Sequence, residues 1–180
     1  MIQKNENSKP LINQMWYFIG IPFFIGILIA TFSPLNVLEY NVFRIINEIA
    51  AFIFPGVRKI KGDYELGQVA KLYFSVMWLM TPFIFIGGYR DFQKRSEIII
   101  SKCKEKKVFS FLFGIFFFPA FVIFMMIVNF ESKDMDDVRV LLTFHSRWGM
   151  PLWGFLIPGG AAMMCALIFF YIRNFSRIFD

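Results

Sequence analysis

Residues 148–172 read WGMPLWGFLIPGGAAMMCALIFFYI, an unbroken run with no Asp, Glu, Lys, Arg or His. A helix crossing the hydrocarbon core of a bilayer needs about 20 predominantly apolar residues, within a range of about 17–25. Lipid offers the backbone no hydrogen bonds, so such a run is expected to bond internally, as a helix. Its residues do not alternate between polar and apolar as the strands of a membrane barrel do. The run is therefore read as a membrane span over 150–172.

Three further runs share this property. Residues 11–38, 72–89 and 108–130 are also free of ionisable side chains. Their apolar centres place spans at 15–32, 70–89 and 108–129, the second beginning beside Lys71, whose long side chain reaches toward the interface. The apolar run of the first span is longer than a signal-peptide core. The residues after it, Ala30-Thr31-Phe32-Ser33-Pro34, lack a small-x-small cleavage pattern, so it is read as a retained anchor. The expected fold is all-α: a polytopic membrane protein with four transmembrane helices in a small bundle. Residues 1–180 form a single membrane domain without repeats. Composition agrees: 57% of the 180 residues are apolar and 18% charged, against about 45–50% and about 25% in a soluble domain. A secreted disulfide scaffold, a disordered chain and an ordinary cytosolic enzyme are excluded on these grounds.

Charge sets the orientation. The net charge of +6 suggests nucleic acid in a soluble protein, but here the sorting of cations matters more than their sum. Arg90, Lys94, Arg95, Lys102, Lys104, Lys106 and Lys107 crowd into the 90–107 connection. Together with Lys4, Lys9, Arg173 and Arg177 in the tails, they account for more than half of the 19 Lys and Arg. The positive-inside rule then places both termini and the 90–107 loop in the cytoplasm, with the other two loops outward. The location expected is a bacterial inner membrane, crossed four times.

The connections carry periodicity of their own. Over residues 38–53, Leu38, Val42, Ile45, Ile46, Ile49, Phe52 and Ile53 fall on one side of a helix. Tyr40, Asn41, Arg44, Asn47, Glu48 and Ala51 fall on the other. This predicts an amphipathic helix lying on the outer leaflet, stopped by Pro55-Gly56. Ser132 or Asp134 is placed to cap a shorter outward helix bearing Val138, Leu141 and Leu142. The basic 90–107 loop is expected to continue the neighbouring spans as short helices.

Residues that could carry chemistry are few. None of the four spans has an ionisable residue in its interior, and pumps, coupled transporters and voltage sensors depend on such residues. The single His145, beside Ser146 and Arg147, lacks a nucleophile elbow or a defined third partner. Glu131, Asp134, Asp136 and Asp137 lack the glycine turn and distal glutamate of a calcium loop and read as the acidic start of a helix. Cys103 reads as a surface thiol in the basic loop, and Cys165 lies at another depth inside a span. No metal, cofactor, nucleic acid or small-molecule substrate is expected, and no enzyme.

What remains is recognition. Gly154, Pro158, Gly159, Gly160, Ala162 and Ala166, with Gly26 and Ala30 in the first span, make small-residue patches. Such patches let helices approach closely, either within the bundle or from another membrane protein. Arg44 and Glu48 add discriminating charges on the outward segment. Phe116-Phe117-Phe118 and the other Phe runs are read as lipid contacts, and Tyr89, Tyr171 and Trp148 as interfacial anchors. In size and layout the chain resembles immunity proteins against pore-forming bacteriocins and the inner-membrane exclusion proteins of conjugative plasmids. That resemblance implies a non-enzymatic protein that binds an incoming membrane-inserted partner. The alternative is a small accessory subunit of a membrane transport or secretion complex.

Overall fold

The structure, a computed structural model, describes residues 9–60, 65–106, 112–127 and 146–179. Its helices are α1 (Lys9–Phe32), α2 (Asn41–Ile53), α3 (Pro55–Arg58), α4 (Gly67–Leu79), α5 (Thr81–Lys94), α6 (Ser96–Glu105), α7 (Phe118–Ile127), α8 (Gly149–Arg173) and α9 (Phe175–Phe179). A 3-10 turn, Val37–Glu39, leads into α2, and a wide π-turn, Phe113–Phe117, leads into α7. There is no strand among the described residues. The outward helix expected near Ser132, the acidic group at 131–137 and His145 lie outside them.

Only α8, among the described residues, is by itself long and apolar enough to cross a membrane. Its 25 residues extend about 37 Å at about 1.5 Å per residue. It continues through Pro158 without a break. The span expected at 70–89 is not one straight helix. It is the pair α4 and α5, long and apolar enough only when taken together across a 41° bend. The cause is Pro82, which has no N–H to donate and whose ring would strike the carbonyl one turn earlier. The chain therefore ends α4, turns at Met80, and restarts with Pro82 in the first turn of α5. The Thr81 hydroxyl donates to the Trp78 carbonyl at 2.7 Å across the break. In α1 the apolar helical stretch Tyr17–Phe32 is too short to cross by itself. The π-turn before α7 lies just ahead of Pro119, where a regular α-turn would drive the ring against the Ile115 carbonyl.

The segments run back and forth between two ends. Near the start of α1, Phe18 packs on Phe83 with ring centroids 4.6 Å apart, and Arg90 lies over its ring at 5.9 Å. The far end of α1 meets Arg147, just before α8. The α4–α5 pair returns, with Leu38 N–H bonded to Gln68 at the α4 start and Tyr89 against Phe169 of α8 near its finish. The π-turn sits by Tyr171, near the end of α8, and α7 reaches α3 at the opposite end. The result is an antiparallel arrangement with α2 and α3 at one end and α6 and α9 at the other.

Tyr73 of α4 is the centre of the larger core. It is fully buried, with Phe74, Met77, Leu72, Val69 and Met150 around it. Its hydroxyl donates to the Pro151 carbonyl at 3.4 Å, a long bond. Removing that bond alone by Tyr73→Phe is expected to cost no more than about 1 kcal/mol, whereas Tyr73→Ala costs about 3–5 kcal/mol through the cavity it leaves. Thermal melting of the detergent-solubilised chain separates the two. A second, smaller core at the other end joins Ile100 and Cys103 of α6 to Phe170 of α8 and Ile178 of α9.

Candidate recognition surfaces

Helix α2 has three sectors rather than two. Ala50 is buried, and Ile46, Ala51 and the following Phe54 pack against the larger core. Asn47 lies in this sector, where the Ser75 hydroxyl approaches its Oδ1 at 3.1 Å and also donates to the Lys71 carbonyl at 2.6 Å. Val42, Ile45, Ile49, Phe52 and Ile53 are exposed, Phe52 to 80%. Asn41, Arg44 and Glu48 form the polar sector, with Arg44 bonded to Asn41 at 3.0 Å and paired with Glu48 at 3.9 Å. The apolar positions noted in the sequence are therefore helical and mostly contiguous, but most of them point away from the bundle. Protein, apolar surroundings and water can each take one sector, the disposition expected of a helix lying in an interface.

Ala51 departs from its expected polar side because the helix docks through that edge. Asn47 goes inward for the same reason, its Oδ1 beside the Ser75 hydroxyl, whose proton is shared with the Lys71 carbonyl. Replacing Asn47 by Leu leaves the buried Ser75 hydroxyl with only the Lys71 carbonyl and is expected to cost about 1 kcal/mol. Denaturant unfolding of the solubilised chain checks the value.

The small-residue positions mostly serve the chain itself. Gly26, Ala30, Gly154, Pro158, Gly159, Ala162 and Ala166 are buried, while Gly160 is half-buried with open space beside it. A Cβ at Gly26 would lie 2.8 Å from Tyr73 Cε2, and one at Gly154 would lie 2.5 Å from Tyr73 Cε1. The two glycines thus clasp opposite edges of one ring. Gly88 of α5 does the same for Met163 of α8, at 2.6 Å from its sulfur. Arg44 and Glu48 are exposed at the other end of α2's polar sector and do not join the glycine positions.

Further apolar surface lies on the outside of the long helices. Tyr17, Ile21, Phe24, Leu28 and Phe32 are exposed along one stripe of α1, and Leu152, Leu156, Phe169 and Ile172 along α8. Phe116 and Phe117 are exposed too. Only 33% of the apolar window of α8 is buried in the fold.

The basic connection is ordered as expected, by α5 running on to Lys94 and by α6. Cys103, expected at the surface, is buried instead. Helix α6 folds back against α8 and α9, turning this side chain inward to within 3.1 Å of the Tyr171 hydroxyl. Arg177 pairs with Glu97 at 2.7 Å, and Arg95 with the buried Asp91 at 3.2 Å. Tyr89 of α5 is packed between Phe85 and Phe169 and accepts hydrogen bonds from Arg173 at 2.8 Å and Gln93 at 2.9 Å. At the opposite end, Arg147 donates to the carbonyls of Ala30, Thr31 and Ser33 at 2.9–3.0 Å. No local pattern marks this contact, because its partners lie more than a hundred residues earlier in the chain.

Among the described residues no group of three or more His, Cys, Asp or Glu comes together to hold a metal ion. No known protein family, curated protein or solved structure matches the chain.

Proposed function

We propose that the chain is a bacterial inner-membrane protein crossing the bilayer four times, with both termini cytoplasmic, and that it acts without catalysis by recognising another membrane-inserted protein. The observation that carries this reading is the long, uncharged, exposed apolar surface of α1 and α8, flanked by charged groups at the two ends. Apolar patches this extensive are covered by lipid or protein. The weak burial of α8 supports lipid as its neighbour, since the core helix of a soluble protein is mostly buried. The alternating course of the described segments is compatible with four crossings, and the cations of α5, α6, α8 and α9 share the end that this reading assigns to the cytoplasm.

Within that class, the layout fits immunity to a pore-forming bacteriocin or exclusion of an incoming conjugative plasmid. The protein would occupy the membrane helices of the toxin or transfer component before they assemble. Helix α2 would supply discrimination at the outer surface, through the charges of Arg44 and Glu48 beside its apolar sector. Expression in a sensitive host, followed by challenge with pore-forming toxins and with conjugating donors, tests the reading. Protection from one class of agent is the expected result, and it should follow the outer loops when they are exchanged with those of a protein of different specificity. Protection from neither, with stoichiometric copurification of a transport or secretion complex, would favour the accessory-subunit reading instead.

A further inference from the structure

The cations at the α6 and α9 end are not equivalent. Arg95 has Asp91, Arg177 has Glu97, and Arg90 lies over the Phe18 ring. Arg173 is exposed and has no acidic partner among the described residues. Its Nη1 is spent on the Tyr89 hydroxyl, which leaves the rest of the guanidinium fork available. Tyr89 also receives the Gln93 amide. A phenol oxygen has two lone pairs and one proton. With both lone pairs taken by N–H donors, the proton is directed to a further acceptor, and none of the described residues provides one. The ring cannot turn away freely, being stacked on Phe85 at 6.2 Å and edge-on to Phe169 at 5.3 Å. Arg173 and Gln93 therefore meet at the Tyr89 hydroxyl where α8 ends, and no acidic side chain among the described residues joins them.

We propose that Arg173, Gln93 and the Tyr89 hydroxyl form a receptor for the phosphate of an anionic phospholipid in the leaflet at the basic end. A guanidinium fork matches a phosphate through paired hydrogen bonds. An interfacial tyrosine stands at headgroup depth, and basic clefts between helices on the cytoplasmic side suit anionic headgroups. The apolar Phe85 and Phe169 beside Tyr89 provide a bed for the acyl chain below the phosphate. The site rests on the membrane reading proposed above and names one lipid class that the bundle selects.

The test titrates the full-length, detergent-solubilised chain with phosphatidylglycerol and, separately, with phosphatidylcholine and inorganic phosphate. Retained lipid is read by native mass spectrometry and stabilisation by thermal melting. Phosphatidylglycerol is expected to be retained preferentially. Arg173→Gln and Tyr89→Phe should each weaken that retention about tenfold, the effect of losing one charge-assisted or well-aligned hydrogen bond, while Lys102→Gln leaves it unchanged. Should Arg173→Gln fail to fold, Tyr89→Phe, which keeps the ring between Phe85 and Phe169, decides alone. Equal retention of phosphatidylcholine, or a preference untouched by Tyr89→Phe, overturns the site. Equal stabilisation by inorganic phosphate overturns the lipid as its ligand. Release of the chain from cell membranes by alkaline carbonate would instead overturn the membrane reading, a failure distinguishable from the others.

Discussion

Arg147→Met is expected to lower the stability of the solubilised protein by about 2–3 kcal/mol, the range for losing hydrogen bonds to a charged group. The last four carbonyls of a helix have no partner within it. At the end of α1 these include Ala30 and Thr31, and the turn beyond them adds Ser33. The two N–H groups of one guanidinium nitrogen serve all three at 2.9–3.0 Å, one of them shared between two carbonyls. The positive charge also sits at the negative end of the helix dipole. Ala30 is fully buried, so water cannot simply replace the lost donor. Arg147→Lys keeps the charge and a nitrogen donor but on a shorter side chain and should recover only part of the loss. For comparison, removing the charge of Arg44, whose pair with Glu48 is exposed on both sides, should change stability by less than about 0.5 kcal/mol. Reversible denaturant unfolding in micelles gives all three values. A wild-type midpoint for Arg147→Met would refute the staple.

A comparable loss is expected from adding one methyl group to the clasp around Tyr73. Gly154→Ala introduces a carbon 2.5 Å from Cε1 of a ring that has no exposed surface on which to retreat. Overpacking of this kind costs about 1–3 kcal/mol. It should outweigh the roughly 1 kcal/mol that alanine gains over glycine within a helix. Gly26→Ala meets Cε2 at 2.8 Å on the opposite edge and should behave likewise. Gly160→Ala is the internal control: nothing lies within 4 Å of its new carbon, so the propensity gain should emerge alone as a small stabilisation. Combining Gly154→Ala with Tyr73→Leu should recover much of the loss, a coupling that a double-mutant cycle measures by thermal melting. Additive losses would show that the clasp is not the cause.

The helical character of the fold was legible because it depends on local periodicity and on runs without charge. The uncharged run at 148–172 became α8 almost residue for residue, and the period over 38–53 became α2. The Thr81-Pro82 pair was also visible, and it carried the information that α4 and α5 would separate. Hydropathy does not register its effect, because it sums over a window and is blind to a missing N–H. The site was less legible for a different reason. Glycines in an uncharged apolar run signal close approach without saying to what, and only the spatial arrangement assigns Gly26 and Gly154 to the same tyrosine. Arg147 and Arg173 looked like topology charges. Their roles depend on carbonyls and a phenol supplied by distant parts of the chain, which no spacing rule encodes.

The staple at Arg147 has a consequence for the order of synthesis. The carbonyls of Ala30, Thr31 and Ser33 leave the ribosome 114–117 residues before the side chain that satisfies them. Throughout that interval those carbonyls must be met by other donors, water among them. The end of the first helix is thus completed late, by a side chain at the entrance to the last long helix.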